Sequence, residues 1–246
     1  MKSKAILVVF VLSFSTTVYA EVVTFSSDAT ISDGDFYDMV VVENDGTIVD
    51  MTGGMVNGLK IYDSSQFNMY EGWLGEGDTV MITAYDTSAV NIFRGFVGIE
   101  LSSDVIQLYG ASTLNVDMDG GWIGSLNFAY DASVVNIYKG DLNHLGGYDS
   151  STINIYGGDI GGGWGFQADI SSTVNIFGHD FVYNPQAWWS DEFNSWISEL
   201  TGVGPDGTPI RIEGIDNPHT SANINLIPEP STLLLLGLGA MVLRKR

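Results

Sequence analysis

The chain contains no cysteine, which excludes a disulfide framework, a thiol nucleophile and a thiolate metal site. Basic residues are also scarce, since 9 Lys and Arg stand against 30 Asp and Glu. Most of them lie at the two ends, and the body keeps only Lys60, Arg94, Lys139 and Arg211. Such a body repels nucleic acid and anionic lipid, and it attracts divalent cations or basic partners. Its 45% hydrophobic content is too high for a disordered acidic chain.

The sequence also lacks the common catalytic motifs. It has no Gly-x-Ser-x-Gly, His-Glu-x-x-His or phosphate-binding loop, and His144, His179 and His219 are far apart without metal-ligand spacing. A lyase acting on acidic polysaccharides would need more basic residues than the body offers. We therefore expect no enzymatic activity. A carbohydrate-active enzyme, either a lyase or a hydrolase with paired carboxylates, is the alternative class.

One short segment recurs through the body, with serine at its start and asparagine between two apolar residues. The six copies are Ser65–Tyr70, Ser88–Phe93, Ser112–Asp117, Ser133–Tyr138, Ser151–Tyr156 and Ser172–Phe177. Successive asparagines are 23, 24, 21, 18 and 21 residues apart. Recurrence near 21 residues, with two or three short strands per copy, predicts the coils of a parallel β-helix. An antiparallel sandwich is the alternative fold.

We predict an all-β, right-handed parallel β-helix of about six or seven coils over residues 21–180. Because side chains alternate along a strand, Val174 and Ile176 are expected to point inward and Asn175 outward. Residues 181–226 are rich in tryptophan and break the repeat. They are expected to cap the solenoid, since a bare end invites aggregation. A short apolar tail helix over residues 227–246 completes the predicted organisation.

Coils in register would align the outward residues into two neighbouring columns. The asparagine column comprises Asn68, Asn91, Asn115, Asn136, Asn154 and Asn175. The aromatic column comprises Tyr70, Phe93, Tyr138, Tyr156 and Phe177, and it is interrupted by Asp117. At a rung spacing of about 4.8 Å, these columns predict stabilising amide ladders and ring stacks. A surface that contacts the sugars of a polysaccharide is the functional alternative.

A third set of residues lies where the second strand of a coil ends. It comprises Asp63, Asp86, Asp131 and Asp149. Aspartate is favoured at turns because its side chain hydrogen-bonds nearby backbone groups, so we expect these residues to cap corners. Calcium bridging the row is a weaker alternative, since calcium prefers oxygen ligands. No other cofactor is expected.

The N-terminal 20 residues have the parts of a secretory signal peptide. Lys2 and Lys4 provide the basic start, Ala5–Leu12 provides the apolar core, and Val18-Tyr19-Ala20 provides a cleavage site before Glu21. The apolar core is too short to span a bilayer. A buried N-terminal strand or helix is the alternative.

The C-terminus reads Pro228-Glu229-Pro230, then an apolar run over Leu233–Leu243, then Arg244-Lys245-Arg246. This order resembles the PEP-CTERM sorting signal, over about the last 20 residues. The resemblance implies processing by an exosortase in an exopolysaccharide-producing bacterium of Gram-negative type. It also implies that the Pro-Glu-Pro triplet is recognised and that the three basic residues are the cytoplasmic stop. Basic residues stay cytoplasmic, so the body would lie beyond the membrane.

Together these features predict an exported, exosortase-processed, acidic β-solenoid. The tail would anchor it to the membrane until cleavage, and the body would then reach the cell surface or the extracellular matrix. The predicted role is structural or adhesive, with exopolysaccharide as a candidate partner and nucleic acid excluded. The matrix role comes mainly from the resemblance of the tail, and not from the repeats.

Overall fold

The computed structural model describes residues 22–75, 82–98, 106–124, 126–190, 195–215 and 223–228. All regular secondary structure in these ranges is β-strand, and no helix in them is long and apolar enough to cross a bilayer. The predicted signal peptide lies outside the described residues. So do the apolar tail and five of the six predicted sorting residues: Glu229, Pro230, Arg244, Lys245 and Arg246.

The described strands are short in the regular coils and long near the C-terminus. In chain order they are β1 (Val22–Phe25), β2 (Ala29–Ile31), β3 (Phe36–Tyr37), β4 (Met39–Val42), β5 (Ile48–Val56), β6 (Leu59–Ile61), β7 (Gln66–Leu74), β8 (Ile82–Ala84), β9 (Ala89–Ile92), β10 (Gly95–Val97), β11 (Ile106–Leu108), β12 (Thr113–Asp117), β13 (Gly121–Ile123), β14 (Leu126–Ala129), β15 (Val134–Lys139), β16 (Asp141–Gly147), β17 (Thr152–Ile155), β18 (Gly158–Ala168), β19 (Thr173–Ser190), β20 (Ser195–Val203), β21 (Pro209–Glu213) and β22 (Asn223–Pro228).

Parallel pairing arranges these strands in three ladders, so the chain is a β-solenoid with three faces. Face A contains β1, β4, β6, β8, β11 and β14, followed by the second halves of β16 and β18. Face B contains β2, β5, β7, β9, β12, β15, β17, β19 and β22. Face C contains β3, the ends of β5 and β7, then β10, β13, β16, β18 and β21.

Face B confirms the predicted solenoid, because the six repeat copies lie there in successive coils. Asn91 pairs with Asn68 and Asn115, and Asn175 pairs with Asn154, all in parallel register. The antiparallel sandwich is therefore wrong for the repeats. The apolar residues beside each asparagine point inward as predicted; Val174 and Ile176, for example, are wholly buried. They belong to one apolar core that extends through the stack.

Glycine sets the corner between faces B and C. Gly72, Gly95 and Gly121 have φ of 115°, 111° and 103°, a region that residues with a side chain rarely adopt. The coils also approach too closely for a side chain there. A Cβ on Gly121 would lie 2.0 Å from the Gly95 carbonyl oxygen. The corner therefore needs glycine both for its backbone conformation and for its packing.

The predicted cap region is more complex than a simple cover. The second half of β19 pairs antiparallel with β20, and β20 pairs antiparallel with β21. However, β21 pairs in parallel with β18, and β22 pairs in parallel with β19. These two strands continue the stack because each again places apolar residues two apart, as in Ile210 and Ile212. β22 also crosses the predicted boundary at residue 227 and ends at Pro228.

Candidate functional site

The asparagine column is a continuous hydrogen-bonded ladder. From Asn91 to Asn175, each Nδ2 donates to the Oδ1 of the asparagine in the preceding coil at 2.7–2.9 Å. Asn225 adds a further step at 3.1 Å. At the other end, Asn68 donates to Asp50 at 2.7 Å. All the donated N–H groups thus point toward a terminal carboxylate, an arrangement in which successive hydrogen bonds strengthen one another.

This ladder limits what the amides can offer to a ligand. An asparagine side chain has two N–H donors and an oxygen with two acceptor sites, and the ladder engages one donor and one acceptor site in each inner member. The geometry agrees with the stabilising role predicted for the column. Its contact with sugars stays a prediction.

The aromatic column is also stacked, and Asp117 interrupts it as predicted. Tyr70 stacks on Phe93 at a centroid distance of 5.1 Å. Tyr156 stacks on Tyr138 at 5.0 Å and on Phe177 at 4.5 Å. The ring planes in each pair lie within 10° of each other. Tyr156 has a ring partner on each side, whereas Tyr70, Phe93 and Tyr138 are still 44%, 37% and 41% exposed.

A second aromatic column, on the turn between faces A and B, was missed by sequence reasoning. It comprises Tyr62, Tyr85, Tyr109, Tyr130 and Tyr148, with successive centroids 4.9–5.7 Å apart. Its signal was the tyrosine that precedes the corner aspartate in four coils. Burial, with a smaller effect of Tyr85 and Asp131, raises the pKa of Tyr109. Burial, with a smaller effect of Asp169, raises the pKa of Tyr148.

The corner aspartates occupy turns, as predicted. All four have left-handed backbone, with φ of 54–60°: Asp63, Asp86, Asp131 and Asp149. The first three accept hydrogen bonds from backbone N–H groups of the preceding coil at 2.9–3.3 Å. Among the described residues, no group of three or more His, Asp or Glu is arranged to hold a metal. Calcium bridging of this row stays a prediction.

A groove runs along the corner between faces B and C, and the sequence analysis did not predict it. Its largest hollow measures about 540 Å³ and is lined by Asp33, Glu71, Trp73, Arg94, Phe96 and Asp119, with the corner glycines between them. Trp73 and Phe96 are 45% and 43% exposed, and their rings stack at 4.6 Å. The signal was a glycine–aromatic pair that recurs at Gly72, Gly95 and Gly121.

The groove continues toward the C-terminus. The second hollow, of about 360 Å³, shares Gly120 and Gly121 with the first. The third, of about 220 Å³, shares Asp159 and Arg211 with the second. We call this connected surface the axial groove. Between β3 and β21 it follows the successive coils of face C, a distance of roughly 34 Å at about 4.8 Å per rung.

Carboxylates dominate the electrostatics of the axial groove. Beside it, Lys139 contacts Asp119 at 2.6 Å and Asp117 at 3.4 Å, and the hydrogen bond to Asp119 raises the pKa of Lys139. At the far end, Arg211 contacts Asp159 at 3.1 Å and Glu199 at 2.7 Å.

Glu213 is a third carboxylate partner of Arg211 and is nearly buried. Partial burial opposes the charge of Arg211, but the hydrogen bond to Glu199 and the other carboxylates outweigh it and raise the guanidinium pKa. Two of the body's four cations are thus neutralised by neighbours.

Comparison with known proteins supports the C-terminal assignment. Residues 226–246 match the PEP-CTERM protein-sorting motif, which marks an exported protein with a C-terminal membrane-anchoring signal processed by an exosortase-type enzyme. No curated protein and no solved structure gave a match. The chain is therefore an exported β-solenoid that carries a PEP-CTERM sorting signal.

Proposed function

We propose that the exported body has a structural or adhesive role at the cell surface or in an exopolysaccharide matrix, where it holds an extended polysaccharide in the axial groove. The observation that carries this proposal is the continuity of the groove over successive coils. Its length would accommodate several sugar units of one chain. The regular stack suits this role because it keeps the groove straight and its lining residues at fixed intervals.

The lining favours an uncharged polysaccharide. Trp73 and Phe96 provide apolar surface for the C–H groups of sugar rings, while Glu71 and Asp119 accept hydrogen bonds from hydroxyl groups. A polyuronate would meet like charges, since carboxylates outnumber cations along the groove. The asparagine and aromatic columns then support the groove from face B through their amide ladder and their ring stacks.

The test is titration of the full chain, held in mild detergent, with a neutral β-glucan and with a polyuronate. We expect binding of the neutral polymer only, and a loss of about tenfold in affinity for Trp73→Ala, which corresponds to about 1.4 kcal/mol. Tyr62→Ala on the opposite turn is the matched control and should bind as the parent does. Equal affinity of Trp73→Ala and the parent would contradict the groove as the binding site.

A carbohydrate-active enzyme is the second candidate, because the largest hollow holds three carboxylates beside exposed aromatic rings. Glycoside hydrolases use paired carboxylates as acid and as base or nucleophile. The same polysaccharides should be analysed for chain shortening after long incubation. Shortening that is lost in Glu71→Gln or Asp119→Asn, with binding retained, would replace the binding proposal with a hydrolase.

A further inference from the structure

The hairpin formed by β19 and β20 carries exposed aromatic residues, and its Trp189–Trp196 pair does not have the parallel ring arrangement of the stack. Tyr183, Trp189 and Trp196 are 49%, 45% and 51% exposed, and Val182 is 62% exposed. Trp189 and Trp196 are cross-strand partners whose rings meet edge to face, at a centroid distance of 5.8 Å and an angle of 79°. Unlike the rings of the stacked columns, these two rings do not lie parallel to each other.

The base of this hairpin lies beside the start of the sorting tail. Pro228, the last residue of β22, pairs with Gly178 of β19, and His179 begins the antiparallel pairing with β20. The apolar run of the tail begins at Leu233, five residues beyond Pro228. Five residues span at most about 18 Å when fully extended. While the tail is inserted, the membrane surface must therefore lie close to the hairpin base.

We propose that the exposed aromatic side chains of the hairpin contact the bilayer interface on the exported side while the tail is still in place. Trp and Tyr favour this interface, because one part of the ring system is apolar and another can hydrogen-bond to water or headgroups. The tail holds the base of the hairpin near the lipid, so a weak contact by its aromatic residues suffices through their high effective concentration. Cleavage of the tail then releases the body from both membrane contacts, the inserted tail and the aromatic hairpin.

The charges of the hairpin indicate which lipid it contacts. Asp180 is exposed beside His179 at 2.9 Å, and Glu199 is paired with Arg211. With the acidic body behind them, these groups would be repelled by anionic headgroups. The hairpin therefore fits a zwitterionic lipid surface, and the contact rests on aromatic side chains rather than on charge attraction. This inference is independent of the polysaccharide proposal.

The experiment uses the full chain reconstituted in phosphatidylcholine vesicles that carry brominated acyl chains, which quench nearby tryptophans. We expect quenching of the parent chain and at least a twofold smaller quenched fraction in Trp189→Phe/Trp196→Phe. Both substitutions keep an aromatic ring and so preserve the fold, which circular dichroism verifies. Trp73→Phe in the axial groove is the matched control. It should leave unchanged the decrease in tryptophan fluorescence that the brominated acyl chains cause.

Two results would overturn the proposal. One is an equal quenched fraction in the parent and in the double variant. The other is quenching that grows when phosphatidylglycerol replaces part of the phosphatidylcholine, since that would show attraction to anionic lipid. If a soluble neutral polysaccharide shifts the emission of Trp189 and Trp196 while vesicles do not, the hairpin is a sugar-binding element, and the membrane contact is wrong.

Discussion

The repeated stack and the C-terminal antiparallel unit differ in how their strands pair and in how their side chains are arranged. In the stack, each coil pairs in parallel with the coil before and after it, and side chains of one type lie above one another. In the unit formed by the end of β19, by β20 and by β21, pairing is antiparallel. There Trp189 and Trp196 meet edge to face, and charged groups surround Arg211.

The comparison shows that amide ladders and ring stacks stabilise the coils that pair in parallel. A ladder of amides or rings needs side chains of one type at matching positions in successive coils, whereas the described part of the hairpin consists of two antiparallel strands. Substitutions in the stack should therefore disturb neighbours on both sides, whereas matched substitutions in the C-terminal unit should act locally. Four predictions test this contrast, and their expected effects decrease in the order given.

The largest effect is expected at the glycine corner. Gly121→Ala places a Cβ 2.0 Å from the Gly95 carbonyl oxygen at a positive φ, so neighbouring coils must separate. We expect a loss of about 4 kcal/mol or more in the free energy of unfolding, measured with urea. Gly207→Ala is the control in the C-terminal unit. It also has positive φ but meets no atom within 4 Å, so strain alone should cost about 1–2 kcal/mol. Equal losses would refute close coil packing as the cause.

The next effect concerns the apolar core. Ile137 is wholly buried and lies between Val116 and Ile155 of the adjacent coils. Ile137→Ala should cost about 2–5 kcal/mol, because the cavity cannot collapse between fixed rungs. Val182→Ala in the hairpin removes methyl groups from an exposed side chain and should change stability by less than about 0.5 kcal/mol. Urea denaturation measures both, and a small loss at Ile137 would contradict the continuous core.

A smaller effect is expected in the asparagine ladder. Asn136→Ala removes the acceptor of Asn154 and the donor to Asn115, and it should cost about 1–3 kcal/mol. Asn225→Ala at the end of the ladder removes a single hydrogen bond, so about 0.5–1.5 kcal/mol is expected. Asn184→Ala in the exposed hairpin should cost less than either. If the three variants lose the same amount in thermal unfolding, the ladder has no cooperative contribution.

The smallest effect is a pH dependence of the tyrosine column. The pKa of Tyr109 is raised in the folded chain by burial, so the folded state retains its proton at a pH where the unfolded state loses it. Its contribution is full below the ordinary pKa of 10.0 and is lost as pH rises through the folded value. The alkaline loss of stability should be shallower in Tyr109→Phe, measured by urea unfolding between about pH 8 and 11. An unchanged alkaline slope in Tyr109→Phe would contradict this contribution.

Most of the fold was predictable because the spacing of the repeats indicates which residues of successive coils pair. Spacing near 21 residues predicted the coils, and alternation around each asparagine predicted which side chains enter the core. The amide and aromatic columns followed from the same register. The sequence indicates a late strand at Ala222–Leu226. The parallel pairing of β21 and β22 with the stack did not follow from the sequence, because each is a single strand separated from the stack by a long antiparallel segment. No period in the sequence reveals such a return.

The candidate site was less predictable than the fold. The axial groove depends on the distance between the rings of Trp73 and Phe96 and the carboxylates of neighbouring coils, with the corner glycines between them. This distance is set by three-dimensional packing. The tyrosine column had a clear sequence signal, since tyrosine precedes aspartate in four coils. The pattern is interrupted in one coil, where Gly110 and not aspartate follows Tyr109.

The sequence by itself determined the sorting signal, the absence of thiol chemistry, the acidic character and the parallel stacking, because each depends on residue type or on local periodicity. Only the tertiary structure decided that β22 extends the amide ladder to Asn225, that a groove follows one corner, and that an aromatic hairpin begins beside the tail. These features arise from contacts between residues distant in the chain, whose distances are set by the closure of the coils.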